Sequence, residues 1–319
     1  MKPDGVYCMD AVKGVNMIPA GSVQCCVTSP PYFRQRDYGV EGQWGQESKP
    51  EEYVDRMVML FRAIRWVLTD MGTAWIVIGD SYAGDRRGGQ SGRMDYGQTY
   101  GSGVGLHQGI KRKDLLGIPW MVAFALRADG WYLRQDIIWF KTNGMPESVK
   151  DRCTRAHEYI FMLSKSERYF YDHLAIATPL LGSTLQRLSK GVEKQKGSNR
   201  VYGKKNDPMK TVFTTARNSA DGHRHGVAKI ANRKSVWPMA TALSKVAHFA
   251  SFPATIPDLC IRASSRPGDV VLDPFVGTGT TLLQASKLGR RYIGFDLNPA
   301  YVEISKRRLK EWEGIFFQE

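Results

Sequence analysis

Val270-Val271-Leu272-Asp273-Pro274-Phe275-Val276-Gly277-Thr278-Gly279-Thr280-Thr281 is the stretch that decides the fold class. Its first three residues are a short apolar run with β-branched side chains, the signature of a buried strand. Pro274 and the two glycines break that run. Thr280 to Leu288 then reads as a helix, and Arg291-Tyr292-Ile293-Gly294-Phe295 as the next strand. Strand, turn, helix, strand is the repeating unit of a parallel sheet.

A glycine turn that opens a helix lets backbone approach a ligand closely, and the helix N-terminus favours negative charge. A phosphate-binding P-loop needs lysine after its last glycine, and Thr280 follows Gly279. The dinucleotide fingerprint needs a third glycine where Leu282 stands. S-adenosylmethionine remains. Its amino-acid end suits such a turn, and its ribose calls for a carboxylate at the end of the next strand, where Asp296 lies. The cofactor-binding candidates are therefore Asp273, Pro274, Phe275, Gly277, Gly279, Thr280 and Asp296. A tight strand-to-helix turn with a capping aspartate has the same pattern without a ligand.

Outward from this stretch, strand-length and helix-period segments alternate. Ser22 to Thr28, Thr73 to Ile78, Tyr132 to Phe140 and Glu158 to Leu163 read as strands. Glu51 to Leu68 and Ile118 to Ala128 read as helices, the second opened by Pro119. The expected fold is α/β with a mostly parallel sheet, divided into a catalytic part over 1–180, a basic lobe over 181–246 and a cofactor-binding part over 247–319. Two stretches interrupt the alternation. Gly84 to Lys113 is glycine-crowded, carries Arg86, Arg87, Arg93, Lys111, Arg112 and Lys113, and reads as a long mobile loop, a kind that is usually functional or disordered. Leu181 to Lys245 is polar and basic; it reads as a small lobe with Val212, Phe213, Val236 and Trp237 as apolar anchors, a disordered linker being the alternative.

A second motif follows the strand at Ser22 to Thr28. It is Thr28-Ser29-Pro30-Pro31-Tyr32. The double proline stops the strand and stiffens the backbone. It does so at the carboxyl edge of the sheet, where α/β folds bind ligands. An exocyclic amine on a base is a poor nucleophile because its lone pair is delocalised into the ring. Acceptors for its hydrogens localise that lone pair, and Ser29 Oγ with the Pro30 carbonyl are candidates. Tyr32 offers a face for stacking an extruded base, worth roughly 1–3 kcal/mol. A Pro-Pro-Tyr turn also serves as a plain rigid connection.

The 319 residues, 42% of them hydrophobic, suffice for one large core or for a core plus a smaller lobe. No apolar run is long enough to span a membrane, and Met1 to Gly5 carries no signal-peptide region, so a cytoplasmic protein is expected. Cys8, Cys25, Cys26, Cys153 and Cys260 have neither disulfide-framework nor zinc spacing, and no metal is expected. The formal net charge of +14 points to a polyanionic partner. Arg34, Arg36, Arg86, Arg87, Lys194, Lys204 and Lys205 are candidate phosphate contacts. His223 and His225, the only close histidine pair, are read as solvated or phosphate-facing.

Together the two motifs resemble the amino-methyltransferases of DNA, in which a (D/N/S)PPY motif accompanies FxGxG. The resemblance extends over nearly the whole chain. With Ser29-Pro30-Pro31-Tyr32 first and Phe275-Val276-Gly277-Thr278-Gly279 near the end, the order is similar to the permuted β group. It implies a Rossmann-like sheet, S-adenosylmethionine as cofactor and double-stranded DNA as substrate. It makes the basic lobe a target-recognition domain. It also implies cofactor contacts from Asp10 and from the segment His248-Phe249-Ala250-Ser251-Phe252-Pro253, namely His248, Phe252 and Pro253. Serine before Pro-Pro-Tyr goes with N4 of cytosine in that family, and aspartate or asparagine with N6 of adenine; either base fits the chemistry. A homodimer and a cognate restriction endonuclease are further expectations of the resemblance. An RNA or protein methyltransferase, or an inactive DNA-binding module, is the more remote alternative.

Overall fold

The computed structural model describes residues 1–83, 110–180, 182, 230–241 and 252–316. The chain divides into two compact units, Met1–Asp172 with Lys234–Glu319, and His173–Arg233. In the second unit a short strand β6 (Thr178–Pro179) pairs antiparallel with β7 (Ile230–Ala231). Expected contacts Arg86, Arg87, Lys194, Lys204, Lys205 and His248, and the pair His223 and His225, lie outside the described residues.

The first unit is built on one sheet. Its strands are β1 (Gly5–Cys8), β2 (Val23–Thr28), β3 (Leu68–Ile78), β4 (Tyr132–Lys141), β5 (His157–Ser164), β8 (Val236–Met239), β9 (Val270–Asp273) and β10 (Arg291–Asp296). They lie in the order β1-β10-β9-β2-β3-β5-β4-β8, and β5 alone runs against the rest. The helices are α1 (Ala11–Asn16), α2 (Pro50–Val67), α3 (Ile118–Ala128), α4 (Thr255–Ser264), α5 (Thr280–Lys287) and α6 (Pro299–Phe316). This is the mostly parallel α/β sheet expected from the alternation of segments, in the Rossmann-like form that the family resemblance implies.

Period-two geometry explains the two helical layers. In β2, Cys25 to Thr28 are all buried, so this strand is covered on both faces. Cys26 packs into the core formed with Met57, Phe61 and Ile64 of α2 and Val122 of α3. Its neighbour Cys25 points the other way, and its Sγ lies 3.0 Å from Ser264 Oγ on α4. Trp75 Nε1 on β3 donates to the same hydroxyl at 3.1 Å. Burial pushes the thiols of Cys25 and Cys26 up, so both are inert packing groups.

The order of the strands positions the site. From β9 the chain moves outward through β10, whereas from β2 it moves the opposite way to β3. The switch point lies between β2 and β9, which pair in parallel with Cys25 opposite Val271 and Cys26 opposite Leu272. Crevices at such points, beyond the carboxyl ends of the strands, are where open α/β sheets take ligands. Both sequence motifs leave the sheet there.

Two boundaries differ from the sequence expectation. Val236 and Trp237 were expected to anchor the basic lobe. They instead form β8, the sheet edge beside β4, with Trp139 opposite Trp237. Trp237 is buried and Trp139 Nε1 donates to the Met239 carbonyl at 3.1 Å, so pairing with β4 holds this segment in the sheet. Strand β3 begins at Leu68 rather than Thr73, because a register irregularity absorbs the polar residues between Leu68 and Thr73. No helix among the described residues is long and apolar enough to cross a membrane.

Candidate active site

The two motifs meet through one buried hydrogen bond. Thr28 Oγ1, at the end of β2, donates to Asp273 Oδ1 at 2.7 Å, at the end of β9. Asp273 is 1% exposed and also accepts from the Phe275 amide at 3.1 Å. Burial raises its carboxyl to about 6, although Thr28, Thr281 and the Phe275 amide all act to lower it. Asp273 thus sits beneath the glycine turn and shapes it, rather than lining the space above.

That turn is held by its own backbone and by α6. Gly279 is the left-handed residue before α5, with φ of 83°. A β-carbon there would collide with the Ser305 side chain on α6, so glycine is required for the close approach as well as for φ. Arg308, one turn further along α6, donates to the Thr278 carbonyl at 2.5 Å and to its hydroxyl at 3.1 Å. The Gly277 amide donates to Asp296 Oδ2 at 2.9 Å, and the Asn298 amide to Oδ1 at 2.8 Å. Burial raises the Asp296 carboxyl above its ordinary range.

A pocket opens above the turn, enclosing about 970 Å³ of atom-free space including its mouth. Of the residues expected to hold a cofactor, Asp10, Phe252, Pro274, Phe275, Gly277, Thr280 and Asp296 line it. Gly279 and Pro253 are not among its lining residues, and the Pro253 carbonyl accepts from the Ile256 amide at the start of α4. Asp10 caps α1, its Oδ1 accepting from the Val12 and Lys13 amides at 3.0 and 3.1 Å. Its Oδ2 accepts from Trp44 Nε1 at 3.4 Å.

Trp44, Tyr38, Val40 and Gln43, from the loop after the Pro-Pro-Tyr turn, form the facing wall, with Tyr301 from α6. Sequence reasoning missed them. Trp44 stands edge-on to Phe275 with centroids 5.2 Å apart, and the Arg56 guanidinium lies 4.3 Å from the Trp44 ring centroid. Arg34, expected on DNA, donates to the Glu47 carbonyl at 2.9 Å and so helps hold this loop.

The wall combines flat apolar faces with two carboxylates. The Asp296 carboxylate accepts the Gly277, Asn298 and Leu297 amides, and a carboxylate's roughly four acceptor sites leave room for a hydroxyl. That set suits a flat heterocycle joined to a diol, as in S-adenosylmethionine.

Ser29 and Pro31 line the same pocket at its other end. The Tyr53 hydroxyl donates to the Pro31 carbonyl at 3.0 Å, which fixes the turn from α2. Tyr32 is pressed against Gly79 at the end of β3. A β-carbon there would lie 2.7 Å from the Tyr32 ring and 3.3 Å from Arg155 Nη2. The Tyr32 hydroxyl donates to Glu158 Oε2 at 2.6 Å, and Ser29 Oγ lies 3.4 Å from that hydroxyl. Lys141 Nζ bonds the other Glu158 oxygen. Burial, then the Glu158 charge, pushes the Tyr32 phenol well above its usual range. Neither Glu158 nor Lys141 was singled out from sequence, where they are single charges in separate strands.

Comparison with known proteins agrees with this geometry. The family model of the N6/N4 methyltransferases, described as DNA methylase, matches residues 23–307. The Type II methyltransferase M.Cfr9I of Citrobacter freundii is 41% identical over 302 residues, spanning 94% of this chain and 86% of that protein. The Type II methyltransferase M.SmaI of Serratia marcescens is 40% identical over 304 residues, spanning 94% and 88%. Among solved structures, the PvuII DNA methyltransferase (cytosine-N4-specific) shares the fold with a TM-score of 0.63 at 19% identity, over 97% of this chain and 86% of that one. The chain belongs to the N6/N4 DNA methylase family and is an S-adenosylmethionine-dependent amino-methyltransferase of DNA.

Proposed function

We propose that the enzyme methylates N4 of cytosine at a specific site in duplex DNA, with Ser29, Pro30, Pro31 and Tyr32 forming the catalytic turn. The observation that carries this reading is that Ser29 and the Gly277–Asp296 cradle line one pocket. Bound S-adenosylmethionine supplies an electrophilic methyl group there. Asp296 would hold its ribose, Asp10 and Trp44 the adenine end, and Phe252, Pro274, Phe275, Gly277 and Thr280 the remaining wall. The target base has to leave the duplex to reach this depth. Tyr32 then stacks it, while Ser29 Oγ and the Pro30 carbonyl accept its amino hydrogens. Fixing the amine in line with the methyl group supplies most of the acceleration through proximity and orientation.

The choice of cytosine rests on the serine before Pro-Pro-Tyr. Adenine N6 presents almost the same amine and is the second reading. The motif order supports placement in the permuted β group, with 181–246, apart from the edge strand Val236–Met239, as target-recognition lobe between the two parts of the catalytic domain. Arg36 and the lysines Lys194, Lys204 and Lys205 are proposed phosphate contacts. The Type II relatives support a cognate restriction endonuclease in the same cytoplasm, and a homodimer is proposed on the family resemblance. The test is transfer of labelled methyl to unmodified duplex DNA, followed by nucleoside mass spectrometry. N4-methylcytosine is the expected product. N6-methyladenine would keep the mechanism and replace the base, and transfer to RNA alone would overturn the reading.

A further inference from the structure

We propose that Glu158, gripped by Lys141, is a positioning residue that sets the direction of the hydroxyl chain from Tyr32 to Ser29 and so turns the Ser29 lone pairs toward the substrate amine. This rests on the reading of Ser29 as the amine acceptor. The argument is one of hydrogen count. A carboxylate can only accept, so the single Tyr32 hydroxyl hydrogen is committed to Glu158 Oε2 at 2.6 Å. The contact between Ser29 Oγ and Tyr32 Oη, 3.4 Å, therefore has to use the hydrogen of Ser29. With that hydrogen directed at Tyr32, Ser29 meets the amine with lone pairs alone. Without Glu158, the Tyr32 hydrogen is free to turn toward Ser29. The Ser29 hydrogen would then face the amine, a donor against a donor.

The surroundings of Glu158 suit this task. It is the second residue of β5, opposite Trp139 of β4, and its side chain is 11% exposed. Lys141, from the end of β4, bonds Glu158 Oε1 and leaves Oε2 for Tyr32. The Lys141 ammonium is itself held 5.0 Å from the centroid of the Trp139 ring. Neither residue lines the cofactor pocket, so their influence on the reaction runs through Tyr32.

The test is a double-mutant cycle on single-turnover methyl transfer at saturating DNA and cofactor. Tyr32→Phe keeps the ring and removes the hydroxyl. Glu158→Gln removes the charge, and Glu158→Gln with Lys141→Met removes both charges in case one left alone prevents folding. Each change is expected to slow the step about tenfold. The combination of Tyr32→Phe with Glu158→Gln is expected to slow it by about the same factor, not by about a hundredfold. Cofactor affinity and the apparent KM for DNA are expected to stay within about twofold of wild type, which a general loosening of the fold would not allow. Multiplicative effects in the cycle, or wild-type rates in the charge-free pair, would overturn the inference. Ser29→Ala separates the two levels. If it is inactive while the cycle multiplies, only the role of Glu158 falls; if it is fully active, the reading of Ser29 falls and this inference with it.

Discussion

The pocket has a cofactor wall and a catalytic wall, and the two are assembled from different materials. On the cofactor wall, Gly277 and Asp296 lie 19 positions apart, in consecutive elements, and their contact is a backbone amide on a carboxylate. Behind Ser29 on the catalytic wall, Tyr32 and Glu158 lie 126 positions apart, and side chains make every contact from Ser29 to Lys141. Backbone geometry leaves a local trace in the form of glycines, prolines and a strand-ending aspartate. Side-chain networks between distant strands leave none until the strands are paired. The difference predicts that the walls fail differently when broken.

The largest expected effect is on the catalytic wall alone. Ser29→Ala should lower the methyl-transfer rate by roughly a hundredfold to a thousandfold, in the range found when one aligned hydrogen-bonding group is removed from a reacting centre. Cofactor affinity, measured by calorimetry, should stay unchanged. An equal loss in both would mean that the two walls act as one.

The same contrast accounts for what was legible in the sequence. The parallel sheet could be read because each strand near the switch point is a short apolar run bounded by a Pro or Gly turn. The cofactor cradle could be read because Asp273 to Thr280 and Asp296 belong to one strand–turn–helix–strand unit. Trp44 and Tyr38 were not legible, since they sit in an irregular loop whose path depends on hydrogen bonds such as Tyr38 N to Gln43 Oε1 at 2.6 Å. Val236 and Trp237 were assigned to the lobe because the basic composition around them masks a short edge strand. Asp273 was recognised as part of the cradle, yet its burial and downward bonding emerged only once β2 was placed beside β9.

That burial gives the cofactor wall a pH signature. An acid whose pKa is higher in the folded than in the unfolded chain favours folding when protonated. Its contribution is complete below the unfolded value and is lost as pH rises through the folded value. For Asp273 the window runs from the ordinary 3.8 to about 6. Asp273→Asn keeps the acceptor for Thr28 and the Phe275 amide, and its new amide hydrogens can meet the Thr281 hydroxyl. The stability of this variant relative to wild type should rise by on the order of 3 kcal/mol across that window. Urea unfolding of both proteins between pH 4 and 7 measures it. A constant difference would place the ionisation of Asp273 elsewhere.

A smaller effect separates the walls from the other side. Asp296→Ala should weaken S-adenosylmethionine binding about thirtyfold, consistent with loss of hydrogen bonds to a charged acceptor. At saturating cofactor the transfer rate should fall by less than about threefold, since Ser29, Tyr32 and Glu158 are untouched. A collapse of the saturated rate would show that Asp296 aligns the reacting methyl group as well as binding the ribose.

Thr28→Val carries the smallest expected change and the most direct test of how the walls are joined. Thr28 is fully buried, valine has its shape, and the substitution removes one bond, Thr28 Oγ1 to Asp273 Oδ1. Stability should fall by about 1 kcal/mol, and the Asp273 carboxyl should move further up. Thr28 immediately precedes Ser29, and Asp273 immediately precedes the glycine turn, so the bond sets the spacing of both walls at once. Cofactor affinity and transfer rate should therefore fall together, each by about threefold, the small cost expected of a slight misplacement at a reacting centre. If only one of them falls, the strands β2 and β9 hold the walls in register without this bond. The hydrogen bond would then serve only to satisfy a buried carboxylate.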